Sequence, residues 1–439
     1  EILTFRVSKS DGMRRPTVTP PLPVPAGGEP EIQKEPAIMN AFFYRTAVVL
    51  GLLSAIGPFA IDMYLPALPP IGADLHAGTP AVQMSLLIFF LSMGFAQLAV
   101  VPLSDMFGRK APLFAGLALF MVGGIGSALA PSIEWLIAFR FLQGLGASAG
   151  MVVPRAVVRD LLTGNEAAKL MSLLMLVFSV SPILAPLTGS FIIGGFGWRG
   201  VFWAVTIAAA IATVLLATAL KETRPAEERV GSSFGVALAG YRQLMGNAKF
   251  LSLASIGGFA ISSFFVYLSS SSFILIDHYG LSPRVYSLFF SINAVSFFAM
   301  SQLTGTLADR FGLTRVVKVA VTGYATTMVV LLALFASGVD HLAVLAVLLF
   351  VGYGFVGLVI PSTSVLAMDD HGEIAGTASA LLGTLQFAIG AVAMGVSGIF
   401  FDGTPLPMVV GIALCAVIAF TLAQVSLGRV RGVAQVPAE

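Results

Sequence analysis

Asp62 and Arg140 stand inside long apolar runs of this sequence, and both are of types that hold or move charge. Asp62 lies in the run Thr46–Leu68. Roughly 16 residues rising 1.5 Å each put it ~24 Å along a helix, in the outer part of any bilayer the helix crosses. Arg140 lies at a similar depth in a second run, Glu134–Val158. A charge in hydrocarbon is costly unless it is paired or faces a wet cavity, and arginine stays protonated inside proteins. Arg140 therefore needs a carboxylate, carbonyls or water as partner, and Asp62 is the carboxylate at its depth. If the two meet in one state and part in another, Asp62 can take up a proton in one and release it in the other. The bland alternatives are an aspartate closing its helix before Pro66 and an arginine bonded to backbone carbonyls.

Other chemistry is poorly served. His76, His278, His341 and His371 are all expected in loops, with no HExxH pair and no metal-like spacing. The acidic stretch Asp369–Glu373 reads as a solvated turn, and the single cysteine, Cys415, as packing. No phosphate-binding P-loop signature is present, which argues against ATP as the energy source. No metal and no cofactor is expected, only a proton as coupling ion. One proton crossing ~100 mV yields about 2.3 kcal/mol and one pH unit adds about 1.4 kcal/mol. Together they support at most a ~500-fold gradient of a neutral solute.

The elements that must position these residues are membrane helices. Of the residues 57% are apolar and only 10% charged, against about 25% charged in a soluble domain. The net charge of +2 points to no nucleic-acid partner. Apolar runs of about 20 residues occur at Thr46–Leu68, Ala81–Leu103, Ala111–Ala130, Glu134–Val158, Leu170–Ile193 and Val201–Leu220. Six more follow at Phe250–Ile276, Val285–Leu307, Leu313–Ala336, Leu342–Met368, Ile374–Phe401 and Pro405–Leu427. Lysine and arginine crowd one set of loops, leaving only Arg199 and Arg284 in the other, so both termini are expected inside. The expected domains are an N-terminal extension over 1–38, six-helix bundles at 39–220 and 250–427, a connector at 221–249 and a tail at 428–439. The extension reads as disordered, with Met39 as the expected natural start. Within the connector, Phe234, Leu238, Tyr241 and Met245 recur at helical spacing and predict an amphipathic surface helix.

The two bundles echo each other. Leu103-Ser-Asp105-Met-Phe107-Gly108-Arg109-Lys110 follows the second run, and Leu307-Ala-Asp309-Arg310-Phe311-Gly312 follows the eighth. Leu, Asp, Phe and Gly match at an offset of 204 residues. Two six-span halves of parallel topology are the major facilitator architecture. The second copy resembles that superfamily's loop signature; in the first, Val101 and Met106 replace the usual glycine and arginine. Arg140-Phe-Leu-Gln143-Gly144-Leu-Gly146 is similar to its fourth-helix motif, and Pro182-Ile-Leu-Ala-Pro186-Leu-Thr-Gly189 to its antiporter motif. With Asp62-Met-Tyr64-Leu-Pro66 closing the first span, the set resembles the bicyclomycin- and chloramphenicol-resistance drug:proton antiporters over about residues 41–427.

That resemblance links the acid and the arginine of spans one and four to proton coupling. It implies an all-α membrane fold of twelve helices in two pseudo-symmetric halves, and a multidrug exporter, not an enzyme. The protein is expected as a monomer in a bacterial inner membrane. Gating is expected from Asp105, Gly108, Arg109, Asp309 and Arg310. Asp105 would latch onto the helix N-terminus near Ile374, where free N–H groups favour an anion. Pro182, Pro186 and Gly189 are expected to interrupt span five and seal the halves. A binding cavity is expected near the midplane, lined by Tyr64, Gln143, Met151, Met175 and Phe178 of the first half and Phe265, Tyr267, Asn293, Tyr353 and Gln386 of the second. Methionine and aromatic walls suit varied apolar drugs because they repack. Transport of a small metabolite such as an amino acid is the alternative; a zwitterion would want paired charges, and few intramembrane charges exist here. A channel would need no repeated latch.

Overall fold

The computed structural model describes residues 36–428; the expectations for the N-terminal extension before Pro36 and for the tail after Gly428 lie outside them. The helices are α1 (Pro36–Asp62), α2 (Leu68–Asp74), α3 (Thr79–Phe107), α4 (Lys110–Ala128), α5 (Ile133–Leu161), α6 (Gly164–Ala219) and α7 (Phe234–Met245). They continue as α8 (Ala248–Ser272), α9 (Pro283–Gln302), α10 (Thr304–Phe311), α11 (Leu313–Ala336), α12 (Leu342–Met368), α13 (Ala375–Ile399) and α14 (Pro405–Gly428). No strand occurs among the described residues.

Eleven of the described helical runs are long and apolar enough to cross a membrane. One of them, α6, has 56 residues. At ~84 Å it is nearly three times the ~30 Å hydrocarbon thickness, and it breaks at Gly197, where φ is 69°. It therefore holds two spans, and the crossings number twelve among the described residues.

Local signals set several of the ends. The side chains of Ser233, Asn247 and Ser282 accept the N–H of Val236, Phe250 and Val285, capping α7, α8 and α9. Pro283 opens α9, where its missing N–H costs nothing. Two expected spans lie within continuous runs that contain an irregular turn: α8 runs on into a π-helical turn, Phe273–His278, and the turn residue Leu303 separates α9 from α10. His278 thus ends a helical run and is not a loop residue. Pro182 and Pro186 do not interrupt α6 as expected; the break comes only at Gly197.

Call the end of the molecule that carries the connector the inner end. The first half (α1–α6) meets the second (α8–α14) along two seams. On one, α3 lies against α13 over its whole length. Near the outer end Gln83 Nε2 donates to the Ser269 carbonyl at 3.0 Å. Midway Phe90, Phe265 and Phe387 stack with centroids 4.4 to 5.8 Å apart, and Thr384 Oγ1 donates to the Gly94 carbonyl at 2.7 Å. On the other seam Ser287 and Ser291 of α9 donate to the Pro186 and Ile183 carbonyls of α6, each at 2.9 Å. The proline segment does join the halves, by offering carbonyls.

Candidate functional site

Arg140 sits on α5 at 0% exposure, the largest fully buried side chain of the described residues. Its guanidinium lies 4.0 Å from the Phe89 ring centre, 4.6 Å from that of Tyr64 and 5.9 Å from that of Phe202. One terminal nitrogen donates to Gln143 Oε1 at 2.7 Å and to the Ala60 carbonyl at 3.3 Å; Nε and the other terminal nitrogen have no partner. Sequence makes this cage possible. Gln143 is one turn from Arg140 on α5, and Gly144 lets α5 approach α3 so closely that a Cβ there would lie 2.1 Å from Ser92 Oγ. Aromatic faces carry partial negative charge, so three of them stand in for a counter-ion.

Asp62 is 5% exposed at the end of α1. Among the described residues its carboxylate has no hydrogen-bond or ion-pair partner, and the expected Asp62–Arg140 pair is not formed. Gln143, Ala60 and the rings have taken its place. The turn that follows Asp62 is held by neighbours: Tyr64 shares a 2.6 Å hydrogen bond with Ser85, and Gly189 of α6 packs so tightly on Met63 that a Cβ would meet its carbonyl at 2.4 Å. Tyr286 of α9 is fully buried and shares a 3.2 Å hydrogen bond with Ser271.

The remaining cavity candidates fall into separate places. Tyr64 and Gln143 belong to the Arg140 cage. Phe265 is in the α3–α13 seam. Tyr267 accepts from Asn293 Nδ2 at 3.2 Å, and Tyr353 donates to the Ser263 carbonyl at 3.3 Å; the Tyr267 and Tyr353 rings lie 5.6 Å apart. Asn293 Oδ1 of this cluster lacks a partner, as does Gln386 Nε2, which lies apart beside Gly257 of α8. Met151 packs beside Gly57 of α1, Phe178 faces Arg155, and Met175 is exposed. Arg155, Phe89, Phe202 and Tyr286 were not among the expected residues. Only Arg155, a second arginine in the run Glu134–Val158, carries a sequence signal that could have found it. No cluster of three metal-ligating side chains occurs among the described residues.

The loop after α3 differs from expectation. Arg109 reaches Asp105 at 2.7 Å, Asp160 at 2.7 Å and Ser104 at 2.8 Å, and Arg224 of the connector adds a contact to Asp105 at 3.2 Å. Glu222 accepts the backbone N–H groups of Arg109 and Lys110, capping α4. Burial would raise the Glu222 carboxyl, but those N–H groups with those of Arg224 and Thr223 hold it below the usual carboxylate range. Asp105 therefore does not latch onto the helix start near Ile374: a full guanidinium four residues away outcompetes the half charge of a helix end. The connector helix α7 bridges the gap instead. Tyr241 Oη donates to the Leu98 carbonyl at 3.0 Å, and Gly240 abuts Thr377. Asp309 and Arg310 stand exposed, with Arg310 5.2 Å from the Phe311 ring centre.

Known proteins resemble this chain in sequence and in fold. An uncharacterised MFS-type transporter of Bacillus subtilis, YdgK, is 38% identical over 82% of this chain and 90% of its own length. The bicyclomycin resistance protein homolog of Haemophilus influenzae is 28% identical over 85% and 93%. Among solved structures, a bacterial homolog of the human lysosomal transporter Spinster superposes with a TM-score of 0.69 at 15% identity, covering 91% of this chain and 99% of that one, which speaks for the fold. The sequence model of the Major Facilitator Superfamily matches residues 50–394. The chain is therefore a multi-pass membrane transporter that belongs to the Major Facilitator Superfamily.

Proposed function

We propose that this transporter exports small, largely apolar antibiotics in exchange for protons, by alternating access. It works as a monomer in a bacterial inner membrane with both termini in the cytoplasm. An antibiotic as cargo is supported by the name of the Haemophilus influenzae relative. The single observation that carries the reading is Asp62, a nearly enclosed carboxyl without a partner, one helix away from an arginine that is held elsewhere.

An ionised carboxylate enclosed without a partner costs several kcal/mol, whereas the neutral acid costs far less. Closing the outer end around Asp62 thus favours its proton-carrying form, and opening that end to water, or bringing a cation to it, favours the ionised form. In this reading Arg140 is that cation: it donates to the Ala60 carbonyl, two residues before Asp62, and its bond to Gln143 is local to one helix. Exchange of these bonds for the Asp62 carboxylate is the step that couples the two. Drug binding from the inner side that draws Arg140 across would expel the proton, linking the two fluxes.

The test is drug uptake into everted vesicles under an imposed pH gradient. Asp62→Asn should abolish gradient-driven accumulation and drug-induced proton release while leaving downhill drug exchange. Gradient-driven accumulation at the wild-type level in that variant would exclude Asp62 as the coupling acid.

A further inference from the structure

Helix α5 carries a second arginine that the coupling scheme does not use. Arg155 lies 15 residues beyond Arg140, ~22 Å further in and within about 60° of the same helix face. The two are handled in opposite ways. Arg140 is caged, while Arg155 is partly buried with no acceptor for its Nε and, among the described residues, no hydrogen bond or ion pair to its guanidinium. Its one side-chain contact of note is the Phe178 ring, 5.8 Å away. Arg159, one turn further in on the same helix, is of like sign. The nearby inner-face carboxylates are engaged: Asp160 by Arg109 and Thr223, Asp105 by Arg109 and Arg224, and Glu222 by backbone N–H groups. One turn outward, Met151 lines the same face beside Gly57, and Met175 lies exposed on α6.

A cation in an apolar wall, with Asp105, Asp160 and Glu222 committed elsewhere, is a cost that a ligand can relieve. We propose that Arg155, with Phe178 and Met151, forms the inner-side binding site for the anionic or strongly electron-rich end of an amphiphilic substrate. The transporter then takes up neutral and anionic organic molecules and turns away lipophilic cations. Arg155 supplies the charge, Phe178 and the methionines supply the apolar contact, and Arg159 adds to the bias against cations. This inference rests on the reading of the chain as an exporter that loads from the inner side.

Tetraphenylborate and tetraphenylphosphonium, matched in size and opposite in charge, test it. Binding of each is measured to the full-length protein in nanodiscs of phosphatidylcholine, and again with phosphatidylglycerol added. The wild type should bind the borate at least ~10-fold more tightly than the phosphonium. Arg155→Gln should erase that preference, Arg155→Lys should keep most of it, and Arg159→Gln, whose charge is in water, should change it less. An unaltered preference in Arg155→Gln, no preference in the wild type, or its loss on adding phosphatidylglycerol would each overturn the proposal, the last by making Arg155 a lipid site. Asp62→Asn should leave the preference intact. A failure of proton coupling and a failure of charge selection are thereby read separately.

Discussion

The two copies of the repeated inner loop share a backbone and little else. Gly108 and Gly312 both turn the chain at positive φ, 86° and 79°, immediately after a helix that carries the matching aspartate. In the first copy that aspartate is tied through Arg109 to Asp160, and the connector closes over it with Glu222 and Arg224. In the second, Asp309 is exposed and has no hydrogen-bond or ion-pair partner among the described residues. The repeat offset explains the difference: Leu313 stands where Arg109 would be, and Ser364 where Asp160 would be. A duplicated motif thus preserves the turn, while the ionic fastening depends on residues outside the motif and on a connector that occurs once. The first half's inner face is fastened to the connector by ion pairs; the second copy of the loop has no such fastening among the described residues.

The largest expected effect is at the centre of the lock. Arg109→Ala leaves Asp105 and Asp160 facing each other with their shared cation gone, and should cost about 3 kcal/mol, in the range for breaking a buried ion pair. Arg310→Ala should stay within about 0.5 kcal/mol. Thermal unfolding of both variants in the same detergent measures the contrast; equal losses would mean the two copies carry equal load.

The glycines sharpen it next. A Cβ at Gly312 meets nothing within 4 Å, so Gly312→Ala should cost only the strain of a positive φ, about 1 kcal/mol. At Gly108 the same methyl would lie 2.5 Å from Arg229 and 2.7 Å from Glu222. Gly108→Ala should therefore cost at least about 2 kcal/mol, and should also raise protease cleavage in the connector, which Gly312→Ala should not.

A smaller effect is expected from acid. Glu222 titrates below its unfolded value of about 4.3. A depressed carboxyl gives stability that is complete above the unfolded value and is lost as pH falls through the folded one. Between about pH 5 and pH 3 the wild type should therefore lose midpoint temperature faster than Glu222→Gln. Parallel curves would mean that the cap on α4 adds nothing.

Which of these features could be read from the sequence follows from how local each is. The twelve crossings need only apolar run length, and the turn glycines and their aspartates need only the repeat. The connector helix was legible from periodicity, but its face was not. Ala237, Gly240 and Leu244 are buried, while Phe234, Leu238 and Met245, the apolar residues that made it look amphipathic, are exposed. Small residues allow the close approach to α13, and the large ones face outward, where a membrane surface could take them. Arg140 and Asp62 were found because charge in an apolar run stands out. Their separation was not legible, because Phe89, Tyr64 and Phe202 come from three other segments and none looks unusual alone. Asp105's choice of Arg109 over a distant helix end was in principle readable, being an i,i+4 pair.

The smallest expected effect is the one best placed to break the comparison. The second half has one ion pair at its inner face among the described residues, Lys249 to Asp370 at 2.7 Å, with both side chains 57% exposed. The Lys249 ammonium beside Asp370 holds that carboxyl below the usual range, yet water and salt surround both. Exposed pairs of this kind contribute little, because solvent screens both charges. Asp370→Asn should barely move the unfolding midpoint, and any shift should vanish in 1 M salt, where screening acts within about 3 Å. Asp160→Asn, which strips Arg109 of its two-pronged partner, should be several times more costly and should persist in salt. If the two losses match, or if the Asp370 effect resists salt, the second half is fastened as firmly as the first and the asymmetry between them is not one of stability.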